Sequence, residues 1–231
     1  RTNIVAPHPD MKSDIKDFLT FEFERIGVPL QEPQKDRFLA YLREIRRWNR
    51  TVNLTALQDE AEIVRYLFAC SALWPLPEEG SAGRCLDVGS GAGIPGIPLK
   101  ILHPEGQWTL LERSRRKASF LKYVAALLGL SGLQIVCSDL RELAQENSFQ
   151  EEFSVVVSRA ALKLSRLVQD CLPLIKPGGS LIAQKGEGLE EEIVPAAGIC
   201  ARFGGELKGV QEISTPWETR IRFVTIQRRR P

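Results

Sequence analysis

The run Leu86-Asp87-Val88-Gly89-Ser90-Gly91-Ala92-Gly93-Ile94-Pro95-Gly96 decides the fold, because a short apolar strand breaks there into a glycine-dense turn that opens a helix. Cys85, Leu86 and Val88 suit a buried parallel strand. Glycines, lacking Cβ, let the next segment turn sharply and approach a ligand closely. Asp87 stands two residues before the first glycine, at the carboxyl end of the strand. A carboxylate there disfavours a nearby phosphate and suits a cation, such as an amino group or a sulfonium.

Downstream of this turn the pattern alternates. Strands are expected at 84–88, 107–112, 133–137, 153–158 and 180–184, with helices from about 95 and over 114–128, 139–145, 163–175 and 188–202 between and after them. Lys176-Pro177-Gly178-Gly179 is expected to stop the helix before the fifth strand, and runs near 208–213 and 220–227 read as a closing pair of strands. Strands separated by helices of this length imply parallel pairing with right-handed crossovers. The expectation is an α/β fold: a doubly wound, mostly parallel seven-stranded sheet, Rossmann-like, with ligands beyond the carboxyl ends of its strands.

Upstream, only helical periodicity is found, over Ser13 to Ile26, Pro33 to Trp48 and Asp59 to Leu73. Ser13 suits an N-cap, Gly27 a left-handed stop and Pro33 a first helical turn. Pro75, Pro77, Gly80, Ser81 and Gly83 make a turn-rich connector. Residues 1–80 are therefore expected to form a helical extension, and 81–231 the ligand-binding domain.

The composition is globular: 231 residues, 43% apolar and 26% charged, without an apolar run of the roughly 18 residues needed to cross a membrane. Arg1 to Asp10 lacks the apolar centre of a secretion signal. The five cysteines are odd in number and widely spaced, with no Cys-x-x-Cys pair, so no metal site is expected and the thiols read as reduced and cytoplasmic. A net charge of +2 does not by itself argue for nucleic acid, but the cations cluster. Arg43, Arg46, Arg47 and Arg50 share one helix face, and Arg113, Arg115, Arg116 and Lys117 form a second group. Each cluster also fits a solvated helix face.

Gly91-x-Gly93-x-x-Gly96 matches the dinucleotide fingerprint, with Glu112 about 20 residues on, where a carboxylate accepts ribose hydroxyls. Asp87, Pro95 and Pro98 weigh against a pyrophosphate at this helix start. S-adenosylmethionine (AdoMet) needs no such grip. It needs close backbone approach at Gly89, Gly91 and Gly93, an acidic partner at Glu112, and an adenine site at Asp139, Leu140 and Arg141. Asp139 equally suits the N-cap of the following short helix. Pro177-Gly178-Gly179 before a strand is a second general sign of a class I AdoMet-dependent methyltransferase.

The acceptor atom is argued by exclusion. After the fourth strand the chain has Ser158-Arg159-Ala160-Ala161, where amino-group methyltransferases carry Asp/Asn-Pro-Pro-Tyr. No cysteine follows a proline, as carbon methylation of pyrimidines usually requires. Guanine N7 fits what remains, since its in-plane lone pair is free at neutral pH and attack needs alignment rather than proton removal.

The chain resembles the bacterial small-subunit ribosomal RNA guanine-N7 methyltransferases of the RsmG (GidB) type over nearly its whole length. The resemblance rests on Trp48-Asn49 with Asn53-Leu54-Thr55-Ala56, the glycine run, Arg115 to Phe120, Ser158-Arg159-Ala160 and Lys185-Gly186. It implies AdoMet around Gly89 and Ile94, at Leu140-Arg141 and at Arg159, and guanine(527) in the 530 loop of 16S rRNA as substrate. The chain departs from the family pattern at Arg65-Tyr66-Leu67-Phe68-Ala69-Cys70, where Arg-His-x-x-Asp-Ser is usual. It also departs at Arg141, where Glu is usual, and at Ile221, where His often follows the arginine.

Methyl transfer carries positive charge from sulfur to the guanine ring, so a cation beside N7 would oppose it. Arg159 is therefore expected to hold the AdoMet carboxylate or an RNA phosphate, with Lys185 on a phosphate or on O6, and catalysis to consist of in-line positioning and water exclusion. RNA capture is assigned to Arg46, Arg47, Asn49, Arg50, Asn53, Arg115, Arg116, Lys117 and Arg220. The expected partner is 16S rRNA or the small ribosomal subunit, the expected state a monomer away from membranes. A non-catalytic AdoMet sensor or scaffold, and an NAD-dependent oxidoreductase, are the alternatives.

Overall fold

The computed structural model describes residues 14–77, 83–159 and 161–230. The expected Ser13 cap, Arg1 to Asp10, and the boundary at 80/81 lie outside them. Three helices come first: α1 (Ile15–Arg25), α2 (Glu32–Val52) and α3 (residues 60–72). Then follow β1 (Arg84–Val88), α4 (Gly96–Leu102), β2 (Gln107–Leu111), α5 (Arg115–Leu127), β3 (Leu133–Val136), α6 (Leu140–Leu143) and β4 (Phe153–Arg159). The chain continues through α7 (Leu164–Cys171), β5 (Ile175–Lys185), α8 (Leu189–Arg202), β6 (Gly205–Ser214) and β7 (Arg220–Arg228).

The seven strands form one sheet in the order β3-β2-β1-β4-β5-β7-β6. All neighbours from β3 to β5 are parallel, and β7 runs antiparallel to both β5 and β6. The order reverses between β1 and β4, which is where open α/β sheets leave a crevice at their carboxyl edge. This is the doubly wound, mostly parallel sheet that the alternation implied.

Period-two alternation sorts the strand side chains to two faces. Leu86, Val88 and Val156 pack with α7 and α8 residues such as Leu167, Val168 and Ala196. Cys85, Val155 and Val157 face the other way, toward Cys70, Trp74 and Leu99. The N-terminal helices share the core of this second side: Phe23, Phe38, Tyr41 and Phe68 join Ile97, Leu110 and Phe120 in one buried cluster. Ring pairs Phe23–Phe38 at 5.1 Å and Phe38–Phe68 at 5.2 Å run through it. Truncating Phe38, which is fully buried, removes the middle of that row at a cost of about 3–5 kcal/mol.

Several local details differ from expectation. α1 is capped by Asp14, whose carboxylate accepts from the Lys16 amide. α2 runs on to Val52 because Asn53 takes the left-handed conformation (φ 51°) that asparagine tolerates and that closes a helix. The middle of α3, Ile63–Ala69, is π-helical, a widening that periodicity does not announce. The helix before β5 ends earlier, in the 3-10 turn Leu172–Leu174, and Lys176-Pro177-Gly178-Gly179 belongs to β5 itself. The pairing register with β4 shifts there, from Phe153–Ile175 to Val155–Ser180, and the extra β5 residues form a bulge in which Gly178 takes φ 83°.

Candidate functional site

The glycine turn is held from three sides. From the helical segment, the buried Tyr41 hydroxyl donates to the Ala92 carbonyl. From below, Asp87 Oδ2 accepts the Gly96 amide at 3.0 Å. From the side, Glu112 Oε2 accepts the Gly91 amide at 2.9 Å while its Oε1 accepts that of Ser114 at 2.7 Å. Ser114 in turn caps α5, accepting from the Lys117 amide.

Two cavities meet at Gly89. The first, of about 310 Å³, lies between the ends of β1, β2 and β3 and is walled by Val88, Gly89, Gly91, Glu112, Asp139, Leu140 and Leu162, with Lys117 on its rim. The second, of about 210 Å³, lies across the turn against the helical segment, walled by Leu54, Thr55, Leu67, Gly89, Ser90, Ile94 and Arg159. Gly89 has φ 72°, and a Cβ there would come within 2.7 Å of the Ala161 Cβ, so backbone alone fits.

The turn has few amides left for a phosphate. Those of Gly91, Gly93, Ile94, Gly96 and Ile97 donate to Glu112, Ser90, Ser90, Asp87 and Gly93, and Pro95 and Pro98 have none. A dinucleotide pyrophosphate would find this helix start already satisfied. A carboxylate wall, an apolar floor at Leu140 and close glycine backbone instead fit a ribose and an adenine.

Among the described residues Arg159 pairs through its main chain with Gln184 of β5, while its side chain has no hydrogen bond or ion pair. It projects from the end of β4 into the second cavity, half-buried as a residue. Burial lowers its pKa against the opposing influence of Cys70, Asp87 and Tyr41. A desolvated, unpaired guanidinium facing a cavity is an anion or carbonyl receptor.

Other expected residues land elsewhere. Asp87 reaches neither cavity: strand alternation turns it under the loop, where it is fully buried with Oδ1 unpartnered, and desolvation raises its pKa to about 7. Its Oδ2 accepts the Gly96 amide. Gly93 is buried beneath the turn, against Ile97 and Leu121. Asp139 caps α6 through the Arg141 amide at 2.9 Å, and the Arg141 side chain is exposed away from the cavity wall. Lys185, expected on a phosphate or O6, is buried and donates to the Leu162 carbonyl at 2.6 Å and Glu192 Oε2 at 2.7 Å. Its ammonium braces a wall of the first cavity because β5 ends under the Leu162 loop.

The basic clusters divide similarly. Arg43, Arg46, Arg47 and Arg50 are exposed on α2, with Arg46 paired to Glu60 and Arg47 3.7 Å from Glu44. Arg115 and Arg116 are exposed, and Arg220 stands at the start of β7, on the same sheet edge as the ends of β4 and β5. Asn49 is turned to structure. Its Oδ1 accepts from the Leu54 amide at 2.7 Å and the Thr55 amide at 3.0 Å, and its Nδ2 donates to the Thr55 carbonyl at 2.8 Å. Sequence reading missed that clamp, and the Asn49…Asn53-Leu54-Thr55 spacing was the signal for it. The departures at Ala69 and Ile221 are buried apolar contacts, and Tyr66 packs against the same cluster as Ile221. Among the described residues no group of acidic, cysteine and histidine side chains suits a metal, and no helix is long and apolar enough to cross a membrane.

This sheet order, with a cleft at its switch point, is the fold of class I AdoMet-dependent methyltransferases. Solved structures agree: a predicted O-methyltransferase from Agrobacterium tumefaciens superposes with TM-score 0.53 at 19% identity, covering 67% of this chain and 79% of that one. TYW2 of M. jannaschii, solved with AdoMet, gives 0.50 at 14% identity, covering 64% and 68%. More specifically, residues 34–220 match the family model of rRNA small subunit methyltransferase G (GidB), and the chain belongs to that family. Similar relatives include the ribosomal RNA small subunit methyltransferases G of Roseiflexus castenholzii, 40% identical over 82% of this chain and 81% of that one. That of Alkaliphilus metalliredigens is 36% identical over 84% and 82%.

Proposed function

We propose that this protein transfers a methyl group from AdoMet to N7 of a guanine in small-subunit rRNA, guanine(527) of 16S rRNA. The observation that carries the reading is the pair of cavities meeting at Gly89, one fitted for a nucleoside and one carrying an unpaired guanidinium. Bound AdoMet supplies an electrophilic methyl group on a sulfonium. The ribose is met by Glu112, already fixed by Gly91 and Ser114, and the adenine by Leu140 and Asp139.

The acceptor base enters the second cavity beside Thr55, Ser90 and Arg159. Arg159 binds the AdoMet carboxylate or an RNA phosphate, keeping its charge off N7, whose lone pair must stay free. No residue need remove a proton, and the apolar wall of Leu54, Leu67 and Ile94 excludes water. Lys185 and Asp87 act as positioning residues, for the Leu162 wall and the glycine turn. The exposed arginines of α2 and of the α5 start bind phosphates, and the protein works as a cytoplasmic monomer with 16S rRNA or the small subunit as partner.

Labelled AdoMet offered with naked 16S rRNA, precursor particles and assembled subunits tests this reading. Label in one guanine, mapped to position 527 by chemical cleavage at N7-methylguanine, is expected. Label elsewhere, or none with any substrate, overturns it.

A further inference from the structure

A third cavity, of about 340 Å³, opens on the outer surface between α2 and α5, lined by Arg47, Trp48, Thr51 and Tyr123. It is separate from the two cavities at Gly89. Trp48 and Tyr123 stand 5.5 Å apart between ring centroids with planes inclined by 38°. Phe120 backs Trp48 edge-on at 5.6 Å, so the indole is fixed while Tyr123 stays exposed. Tyr123 is 38% exposed and Trp48 half-buried, so both rings line an open notch.

The surroundings specify what covers them. Arg43, Arg47 and Arg50 on α2 and Arg115, Arg116 and Lys122 on α5 are all exposed, and none is held by an ion pair among the described residues except Arg47, whose Glu44 contact is 3.7 Å. An aromatic notch within a field of unpaired cations is the arrangement by which single-stranded nucleic acid is held: rings stack on bases and cations follow the phosphates. We propose that the Trp48–Tyr123 notch stacks one unpaired nucleobase of the RNA substrate, at a position other than the methylated base. Arg47 either stacks on the same base or pairs with its phosphate.

The notch adjoins in sequence a side chain that shapes the acceptor cavity. Asn49 follows Trp48 directly and holds the backbone of Leu54 and Thr55, which wall that cavity. The proposal rests on the RNA-methylating reading but is tested apart from it. Full-length protein is titrated at fixed salt with a labelled adenine-rich RNA oligonucleotide and with the same oligonucleotide carrying abasic sites. Variants are Tyr123→Ala, Tyr123→Phe and Trp48→Phe, with AdoMet binding and circular dichroism measured for each.

Expected are tighter binding of the base-bearing strand by the unaltered protein and a roughly 5- to 100-fold loss of that binding in Tyr123→Ala. Tyr123→Phe is expected to match the unaltered protein, Tyr123→Ala to bind the abasic strand as the unaltered protein does, and every variant to keep its AdoMet affinity. Equal affinity of the unaltered protein for both strands, or a Tyr123→Ala variant with undiminished preference, overturns the notch. If subunit RNA is methylated and the preference is absent, only the notch falls; if base-dependent binding is present without methylation, only the catalytic reading falls.

Discussion

Glu112 joins the turn after β1 to the helix after β2: one carboxylate oxygen accepts the Gly91 amide at 2.9 Å and the other the Ser114 amide at 2.7 Å. The residue expected to meet the ribose thus builds a wall of the first cavity.

Glu112→Gln is therefore expected to do more than remove a ligand contact. An amide presents an N–H to one of two backbone N–H groups, so one stays unsatisfied at a cost of about 1–3 kcal/mol. Urea titration and calorimetric AdoMet binding should show both the lost stability and an affinity about 10-fold or more weaker. Unchanged affinity would remove Glu112 from the cofactor site.

Arg159→Ala is expected to separate activity from stability. It deletes a desolvated charge that has no ion pair, so the denaturation midpoint should hold or rise. Turnover or AdoMet affinity should fall about 100-fold, the scale of a lost charge-assisted contact. A variant that keeps both leaves Arg159 outside the chemistry.

Asp87 predicts a pH dependence. Burial, the largest influence, raises its folded pKa to about 7 from 3.8; Gly96, Ser90 and Arg159 lower it, and Glu112 raises it. The native state holds the proton more tightly, so this contribution to stability is full below pH 3.8 and is lost as pH rises through about 7. Asp87→Asn should flatten that part of the stability–pH curve between about 4 and 7. An unchanged slope would mean that Asp87 is ionised throughout.

Lys185→Met tests the bracing role. Losing the ammonium leaves the Leu162 carbonyl without its donor and Glu192 without its cation. A stability loss of about 1–3 kcal/mol and a raised KM for AdoMet, with a nearly unchanged single-turnover rate at saturation, are expected. A collapse of that rate alone would place Lys185 on the substrate.

RNA affinity should fall steeply with salt, and each of Arg47→Ala, Arg50→Ala and Arg116→Ala should lessen the logarithmic slope by about one. Filter binding across a salt series measures this. A flat response would remove the α2 and α5 faces from the interface.

The sequence made the sheet legible because β1, β2 and β4 are short apolar runs between helical segments, and α5 and α7 bury a regular stripe, whereas β6 is largely polar and exposed. What it hid was direction. Asp87 and Glu112 are both carboxylates at strand ends, yet Asp87 accepts the Gly96 amide under the turn while Glu112 accepts the Gly91 amide from beside it. Asn49 read as a polar residue on a basic helix face, and only the left-handed close at Asn53 brings Leu54 and Thr55 back to its amide. Lys185 looked available because the loop that covers it carries no periodic signal.

A partition made of main chain has a consequence for tolerance. The two cavities at Gly89 are divided by a backbone turn, so the spacing between them is set by peptide geometry rather than by rotamers. Exchanging a side chain that lines either cavity is expected to leave the width of that partition unchanged. Position 89 is the exception, where a side chain would be strained at φ 72° and would meet the Ala161 Cβ at 2.7 Å.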